Sequence, residues 1–190
     1  MGAKVLIVIA LADELHGVMD DLPYPVLQCG VGKVNAAATL ATTLSRDPVD
    51  LVLNYGSAGG LSPRAHGLVE VAEVIQRDMN VEPLAPRGRT PFESCSGRLA
   101  SGRSGLLCAT GDSFVTSHDD WLHQHGVDVV DMELFAIAKV CERFRVPWRS
   151  FKFVSDRADG NAADDWQQNV RAGARDFYQL LDSASIRLNS

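Results

Sequence analysis

Four side chains that can donate or accept protons follow predicted buried strands of this chain. Glu14 comes shortly after the apolar run at 4–10, and Ser57 lies in the glycine-rich segment 54–60 that follows another such run. Glu133 and Asp156 come at the ends of two further runs. Sheets of parallel strands bind ligands in the crevice outside the carboxyl ends of the strands. Three carboxylates and a hydroxyl at that edge predict acid/base chemistry on a small polar molecule.

Taken singly, each of these side chains has an ordinary structural explanation. An acid early in a helix, as expected for Glu14 and Glu133, interacts favourably with the helix macrodipole. Ser57 fits a turn, and Asp156 fits the cap of a turn. Their joint placement at one edge of the predicted sheet is what favours the functional interpretation.

The elements that position these residues alternate between strands and helices. Continuous apolar runs predict strands covered on both faces, at 4–10, 26–29, 50–54, 69–75, 106–110, 127–130 and 150–155. Apolar residues at helical spacing predict helices from Asp13, over 34–45, over 131–144, and along a final face with Trp166, Val170, Ala174, Phe177 and Leu181. This alternation predicts one α/β domain over 1–190, with three layers and a mostly parallel, mixed central sheet flanked by helices.

Local signals mark one loop and two helix starts. Residues 80–104 are rich in Pro, Gly, Arg and Ser and are predicted to form a loop. Asp131 is placed to cap the first turn of the helix predicted after it. Asn161 and Asp164 resemble a capping box ahead of the final helix.

Composition and charge argue against several classes of protein. The 190 residues carry a formal net charge of -6, so no broad basic surface for nucleic acid is expected. No apolar stretch approaches the ~20 residues of a membrane helix, and the first ten residues predict a buried strand rather than a signal peptide. The four cysteines lack a Cys-x-x-Cys motif and predict reduced thiols, three of them buried. A cytoplasmic protein is expected.

Two motifs look like ligand sites but lack essential residues. In Gly30-Val31-Gly32-Lys33 the third glycine of a dinucleotide fingerprint is replaced by Asn35, and Val34 stands in place of the Ser or Thr of a P-loop. A tight turn from strand to helix is therefore favoured. His123 and His125 are two residues apart and would not share a helix face. A solvated polar segment is favoured over a metal site, and no metal or organic cofactor is expected.

Six stretches resemble, in the same order, the nucleoside phosphorylase/nucleosidase superfamily, and in particular the 5′-methylthioadenosine/S-adenosylhomocysteine nucleosidases. The stretches extend over most of the chain, at 10–14, 30–36, 54–61, 110–115, 130–141 and 154–159. Each stretch is moderately specific, and their common order makes the resemblance strong. It implies hydrolysis of the N-glycosidic bond of a purine nucleoside, which releases the free base and the ribose moiety.

The resemblance implies a role for each catalytic candidate. Asp156 is the expected general acid that protonates N7 of the purine, so that the base leaves as a neutral molecule. Glu133 is expected to bind the ribose hydroxyls and to stabilise the sugar as it becomes cationic, and a helix N-terminus favours its ionised form. Glu14, helped by Ser57, is expected to polarise the attacking water. These are the tasks that cleavage of a glycosidic bond requires.

The same resemblance implies a set of substrate contacts. Phe114 is expected to pack against the purine and Met132 against the ribose, which Glu133 also binds. The main chain of Val115 is expected to read the purine edge. Ser155 and Lys152 complete the predicted set of binding residues.

Three departures from the family pattern bear on substrate choice. The stretch at 20–25 is shorter than usual, as if a β-hairpin were missing, and the segment between the predicted strand 69–75 and Thr110 is trimmed. In relatives the second segment helps to shape the pocket for the 5′ substituent, so the preferred nucleoside stays open. Lys152 stands where many bacterial relatives carry Arg, and it keeps the charge without the fork geometry.

Two alternative functions and an assembly state accompany this interpretation. Phosphorylases of the same fold hold phosphate with arginines, including one three residues before the serine of the glycine-rich segment, where this chain has Asn54. Asn54 therefore favours hydrolysis over purine nucleoside phosphorolysis. A non-catalytic nucleoside-binding or storage protein is disfavoured because all four acid/base positions are present. The resemblance also implies a homodimer whose partner lines the 5′ end of each pocket, and the small residues at 36–41 suit close helix packing.

Overall fold

The fold comes from a computed structural model that describes residues 3–93, 97–157 and 169–183. The predicted capping box at Asn161 and Asp164 lies outside these ranges, as do Trp166 and Cys95. The other three cysteines are free and buried, which confirms that part of the prediction. Within the described ranges, no helix is both long and apolar enough to cross a membrane.

The described residues form an eight-stranded mixed sheet. Its strands are β1 (Val5–Ile9), β2 (Val26–Gln28), β3 (Leu51–Gly60), β4 (Leu68–Gln76), β5 (Arg98–Ala100), β6 (Leu106–Thr110), β7 (Val129–Asp131) and β8 (Trp148–Asp156). The strand order is β2-β1-β3-β7-β6-β4-β5, and β8 pairs with both β3 and β4. Strands β3, β7, β6, β4 and β8 therefore close into a ring, with β1 and β2 extending one side.

Most of the strand pairs are parallel. Strand β1 pairs in parallel with β2 and β3, β3 with β8, and β6 with β4 and β7. The antiparallel pairs are β3 with β7, β4 with β5, and β4 with β8. The mostly parallel, mixed central sheet predicted from the sequence is confirmed.

Helices cover the sheet on both faces. The α-helices are α1 (Lys33–Arg46), α2 (Asp120–Gln124), α3 (Leu134–Phe144) and α4 (Ala174–Asp182), and two short 3-10 helices occupy Ala12–Leu15 and Met19–Asp21. Strand β1 shows why its apolar run is unbroken. Leu6 and Val8 belong to a core with α1 and α3, while Ile7 and Ile9 belong to a second core with Phe177 of α4. Both faces of the strand are thus removed from water.

The structure corrects several predicted boundaries. The glycine-rich segment 54–60 is not a turn, because β3 continues to Gly60 and pairs with β8 and β7. The predicted loop 80–104 contains the edge strand β5, and α2 was not predicted. The helix predicted from Asp131 begins at Leu134, and the helix predicted from Asp13 is a short 3-10 helix. Pairing with distant strands decides the first two cases, which local sequence patterns do not record.

We predict that Phe177→Ala lowers the free energy of unfolding by about 3–5 kcal/mol, the usual cost of emptying a buried aromatic site. Phe177 is fully buried, and its ring stacks on Tyr55 with centroids 4.4 Å apart. Chemical denaturation monitored by circular dichroism measures the change. Phe144→Ala is the matched control, since Phe144 is 37% exposed. Equal losses in the two variants would contradict this account of how α4 is held.

Candidate active site

A cavity of about 290 Å³ opens where β1, β3, β7 and β8 end. Eight of the nine predicted site residues line it, namely Glu14, Ser57, Phe114, Val115, Met132, Glu133, Ser155 and Asp156. They come from five separate segments of the chain. The fold thus brings together the groups that the sequence placed at one edge of the sheet. Lys152 is not among the described residues that line the cavity.

The Glu14 carboxylate is fixed by four hydrogen bonds. The 3-10 helix after β1 turns its side chain back toward the strand, so that Oε2 accepts from the N–H groups of Ala10 (2.9 Å) and Leu11 (3.1 Å). Its Oε1 accepts from the N–H (3.0 Å) and the hydroxyl (3.4 Å) of Ser57. Glu14 is buried at the cavity wall. A carboxylate held in one orientation in this way is suited to accept a proton from a bound water.

Gly56 is required by the close approach of two charged groups. A Cβ at this position would lie 3.0 Å from Glu14 Oε1 and 3.3 Å from Lys152 Nζ. Any larger residue at position 56 would therefore displace the carboxylate or the ammonium. Gly56 thus serves this close approach rather than a turn.

Glu133 is placed by the junction between β7 and α3, and its Oε1 accepts from the N–H of Gly32 at 2.8 Å. Burial and the neighbouring Asp131 carboxylate raise the pKa of Glu133 from the ordinary 4.5 to about 7, against the opposing charge of Lys152. Its side chain makes no cap to α3. The helix N-terminus therefore does not dominate its ionisation, in contrast to the sequence-based expectation.

Asp131 is a site residue that the sequence analysis treated only as a helix cap. It does cap α3, with Oδ2 accepting from the N–H of Leu134 at 2.9 Å, which confirms that expectation. Its Oδ1 also accepts from the hydroxyl of Thr110 at 2.5 Å. In addition, Lys152 Nζ lies 2.8 Å from Oδ2, and both side chains are almost fully buried. The carboxylate therefore connects β6, β7, β8 and α3 beside the cavity.

Lys152 and Asp131 form an internal ion pair. Burial alone would lower the pKa of Lys152, but the charges of Asp131 and Glu133 outweigh burial and raise it above its ordinary value. Burial alone would raise the pKa of Asp131, but the charge of Lys152 outweighs burial and holds this pKa below its ordinary value. Both groups are therefore charged. Lys152 is thus a partner of Asp131, and its contact with substrate stays a prediction. A lysine within a buried strand was the signal for such a partner.

Asp156 and Ser155 lie together at the end of β8. The Ser155 hydroxyl donates to Asp156 Oδ2 at 2.8 Å, and its carbonyl accepts from the side-chain amide of Asn169 at 3.0 Å. Asp156 is buried and pairs in register with Gly59 of β3. A side-chain hydroxyl thus fixes the orientation of a carboxyl group that faces the cavity.

The segment 111–115 forms the wall that carries Phe114 and Val115, and Arg77 at the end of β4 holds it in place. Arg77 Nη2 donates to the carbonyls of Gly111 (3.2 Å) and Ser113, and Nη1 donates to the Ser113 hydroxyl (3.3 Å). The main-chain N–H of Arg77 also bonds the carbonyl of Thr110 at 2.8 Å. Arg77 was missed in the sequence analysis, because an arginine after a strand gives no sign of the carbonyls it meets.

The two histidines that were weighed as metal ligands, His123 and His125, lie away from the candidate active site. Among the described residues, no group of three or more His, Cys, Asp or Glu side chains is arranged to hold a metal ion. His123 and His125 are exposed at the end of α2, and the ring of His125 stacks on Trp121. They do not line the cavity.

We predict that the unfolding free energy of the wild type falls relative to that of Glu133→Gln as the pH rises from about 4.5 to about 7. In that range the unfolded chain has lost the proton that the folded chain keeps at Glu133, so higher pH favours unfolding. Above about 7 both states are ionised and the difference becomes constant. Denaturant titrations at several pH values measure it. A difference that does not vary with pH would contradict the raised pKa.

Comparisons with known proteins identify the family of this chain. A model of the phosphorylase superfamily matches residues 15–185. A 5′-methylthioadenosine/S-adenosylhomocysteine nucleosidase of Anoxybacillus flavithermus is 31% identical over 199 residues, which cover 91% of this chain and 84% of that relative. A nucleosidase of the same name from Haemophilus influenzae is 30% identical over 91% of this chain and 85% of its own length.

Solved structures share the fold. A mutant nucleosidase from Helicobacter pylori with 5′-methylthioadenosine in its active site has a TM-score of 0.83 at 21% identity, covering 96% of this chain and 100% of its own. The futalosine hydrolase of the same organism has a TM-score of 0.85 at 20% identity, with 95% and 96% covered. The family model and the sequence relatives show that the chain belongs to the phosphorylase superfamily and, within it, to the family of 5′-methylthioadenosine/S-adenosylhomocysteine nucleosidases.

Proposed function

We propose that the protein hydrolyses the N-glycosidic bond of a purine nucleoside of the 5′-methylthioadenosine/S-adenosylhomocysteine type. The observation that carries this proposal is the arrangement of three buried carboxyl groups, Glu14, Glu133 and Asp156, around one cavity, two of them oriented by serine hydroxyls. The names of the sequence relatives support the substrate class. A cytoplasmic location suits an enzyme of nucleoside metabolism and is part of the proposal.

Each carboxyl group has one task in the proposed reaction. Asp156 gives its proton to N7 of the purine while the bond from C1′ to N9 breaks, so the base leaves without a negative charge. Glu133 binds the ribose hydroxyls and stabilises the positive charge that develops on the sugar. Water attacks C1′ and passes a proton to Glu14. The products are the free base and the ribose moiety. Proton exchange with solvent then returns a proton to Asp156 and removes the proton from Glu14.

The spacing of the strands leaves room for this arrangement. Ser57, which holds Glu14, pairs with Phe153 of β8, whereas Asp156 pairs with Gly59. Ser57 and Gly59 are two residues apart, which corresponds to about 7 Å along a strand. The strand positions that anchor Glu14 and Asp156 are thus offset along the paired strands β3 and β8. This offset suits two acids with separate tasks on one substrate.

Hydrolysis is favoured over phosphorolysis because the places where a phosphate would bind are already occupied. Asn54 donates its side-chain amide to the carbonyl of Val8 at 3.0 Å and accepts from the Ser150 hydroxyl at 2.8 Å, so it offers no charge to an anion. The first amides of α1 are taken by carboxylates, Gly32 N–H by Glu133 and Lys33 N–H by Asp112. Glu14 would also repel an anion at Ser57.

We predict that Asp156→Asn slows release of base by about 10²–10⁴-fold while nucleoside binding stays within about tenfold. The amide has nearly the same shape but cannot deliver the proton. The assay measures free base from a panel of purine nucleosides, with and without phosphate, for wild type and variant. Turnover near the wild-type rate in the variant would remove Asp156 from the mechanism. A requirement for phosphate in the wild type would replace hydrolysis by phosphorolysis, and binding without any turnover would indicate a storage protein.

We predict that Glu14→Gln lowers kcat strongly but leaves KM for the nucleoside nearly unchanged. The amide oxygen can still accept from the N–H groups of Ala10 and Leu11, while the NH2 group then faces the N–H of Ser57. The groups expected to contact the nucleoside are unchanged, but the variant cannot accept a proton from water. Steady-state kinetics separate the two parameters. An equal loss of binding and rate would instead make Glu14 a contact of the nucleoside.

A homodimer is also part of the proposal, and the structure changes the reason for it. The alanine-rich face of α1 packs against α3 within the same chain, where Ala36 and Leu40 are fully buried. That face is therefore already covered within the subunit. Exposed apolar side chains lie at and beside the cavity instead: Val31 and Phe114 line the cavity and are exposed, and Val34, three residues after Val31, is 78% exposed. A second subunit that covers them would exclude water from the site.

We predict that Val34→Glu converts the protein to a monomer and lowers its activity, because a charge would be buried in the interface. Light scattering gives the mass, and nucleoside hydrolysis measured across dilution gives the coupling between assembly and activity. Arg46→Glu, at the other end of α1, is the control for a charge change on the same helix. A wild type that is monomeric at micromolar concentration and fully active would refute the dimer.

A further inference from the structure

The Gly30-Val31-Gly32-Lys33 turn binds carboxylates instead of a phosphate. The Lys33 ammonium bonds the carboxylate of Asp78 and lies 3.7 Å from Asp112 Oδ2. The main-chain N–H of Lys33 donates to Asp112 Oδ1 at 2.8 Å, and the N–H of Asp112 donates to Asp78 Oδ2 at 2.8 Å. Lys33, Asp78 and Asp112 are thus bonded pairwise, and we refer to them as the Lys33 cluster.

Each member of the Lys33 cluster is adjacent in the chain to a different part of the site. Lys33 follows Gly32, whose N–H binds Glu133 Oε1 at 2.8 Å. Asp112 lies within the segment 111–115 that carries Phe114 and Val115 at the cavity wall. Asp78 follows Arg77, whose guanidinium holds the carbonyls of that same segment. The cluster therefore connects the group that holds Glu133 to the wall expected to hold the base.

The packing and charge around the Lys33 cluster make this connection stiff. Gly32 has φ +89, and a Cβ there would lie 3.2 Å from Asp112 Oδ1, so the Asp112 carboxylate packs directly against the backbone of Gly32. The Lys33 side chain is only 17% exposed. Burial acts to raise the pKa of Asp78, but hydrogen bonds from Lys33 and from the Asp112 N–H outweigh it and hold the pKa below its ordinary value. The ion pair is therefore intact at neutral pH.

We propose that the Lys33 cluster is a positioning device that sets the distance between Glu133 and the segment 111–115. At that distance the ribose and the purine of one nucleoside can be bound at the same time. The proposal rests on the proposed function, since it assigns the two halves of a nucleoside to those two parts of the site. None of the three side chains is among the described residues that line the cavity. Lys33, Asp78 and Asp112 act through their neighbours and are positioning residues.

This role has a signature that general loss of stability would not produce. In the proposed function a free purine contacts the segment 111–115 and Asp156 but not Glu133, whereas a nucleoside contacts the segment 111–115 and Glu133 at once. Loosening the cluster should therefore weaken use of the nucleoside and spare binding of the base. Displacement of a reacting group by about 1 Å can lower a rate by about a hundredfold. We expect a smaller effect, because the other hydrogen bonds of the segment remain.

The first experiment compares Lys33→Met with Lys33→Arg and with the surface control Lys4→Met, whose lysine also pairs with an aspartate, Asp47. We expect kcat/KM for 5′-methylthioadenosine to fall about tenfold in Lys33→Met, with the dissociation constant of adenine within about twofold of wild type by calorimetry. Lys33→Arg should recover most of the loss, and Lys4→Met should match wild type. A parallel loss of adenine binding, an unchanged kcat/KM, or no rescue by arginine would overturn the proposal.

The second experiment does not depend on turnover. In Asp78→Asn, hydrogen exchange should accelerate at the amide of Gly32, although that amide donates to Glu133 and not to Asp78, and Glu133 is unchanged in the variant. Unchanged exchange at Gly32 would overturn the cluster as a connection. Failure of the wild type to release base from any nucleoside would instead refute the proposed function while leaving this exchange test in force. The double variant Lys33→Met with Asp78→Asn should lose no more kcat/KM than Lys33→Met alone, and additive losses would show that the two residues act separately.

Discussion

The buried ion pair between Asp131 and Lys152 is the interaction on which the rest of the site depends. Removing two charges from water costs several kcal/mol for each ion, and their attraction repays this only when further hydrogen bonds satisfy both groups. Asp131 meets that condition, because it also accepts from Thr110 and from the first amide of α3. The pair therefore fastens one helix and three strands at the point where the cavity begins. Removing either partner alone would leave an unpaired charge there.

The same pair helps to give the three carboxyl groups of the cavity different environments. Burial and the charge of Asp131 raise the pKa of Glu133, the charge of Lys152 lowers it, and the result is a pKa of about 7. Glu14 accepts hydrogen bonds from the main chain and from Ser57, and Asp156 accepts a hydrogen bond from the Ser155 hydroxyl. Different surroundings of neighbouring carboxyl groups are the kind of contrast by which enzymes separate acid and base roles.

Residues with a local signal could be predicted from the sequence, and residues defined by distant pairing could not. The unbroken apolar run of β1 correctly indicated a strand covered on both faces, and the acids after the strands indicated the edge that holds the cavity. The glycines of segment 54–60 indicate a turn locally, whereas the segment is a strand because of partners in β8 and β7 that are about 70–100 residues away in the sequence. The ring closure through β8 and β4 is equally nonlocal.

The partner of Lys152 could not be predicted for the same reason. The family pattern indicates only the charge at this position, whereas the partner is a carboxylate at the end of β7 that only the folded sheet brings within 2.8 Å. A lysine in the middle of a buried strand nevertheless carries information. Such a side chain has to find an anion inside the protein, so the next acid at a neighbouring strand end was a candidate that the sequence already contained.

The charge balance around the cavity also explains why water suits this site as the attacking group. Glu14, Glu133 and Asp156 all face a cavity whose neighbouring cations are engaged elsewhere. Lys152 is paired with Asp131, and the Arg77 guanidinium binds the main chain of the segment 111–115. The amides at the start of α1, which bind anions in many other proteins, are occupied by Glu133 and Asp112. Such a field stabilises positive charge on a sugar and opposes the approach of phosphate. A neutral nucleophile meets no such penalty, and the proposed hydrolysis follows from that asymmetry.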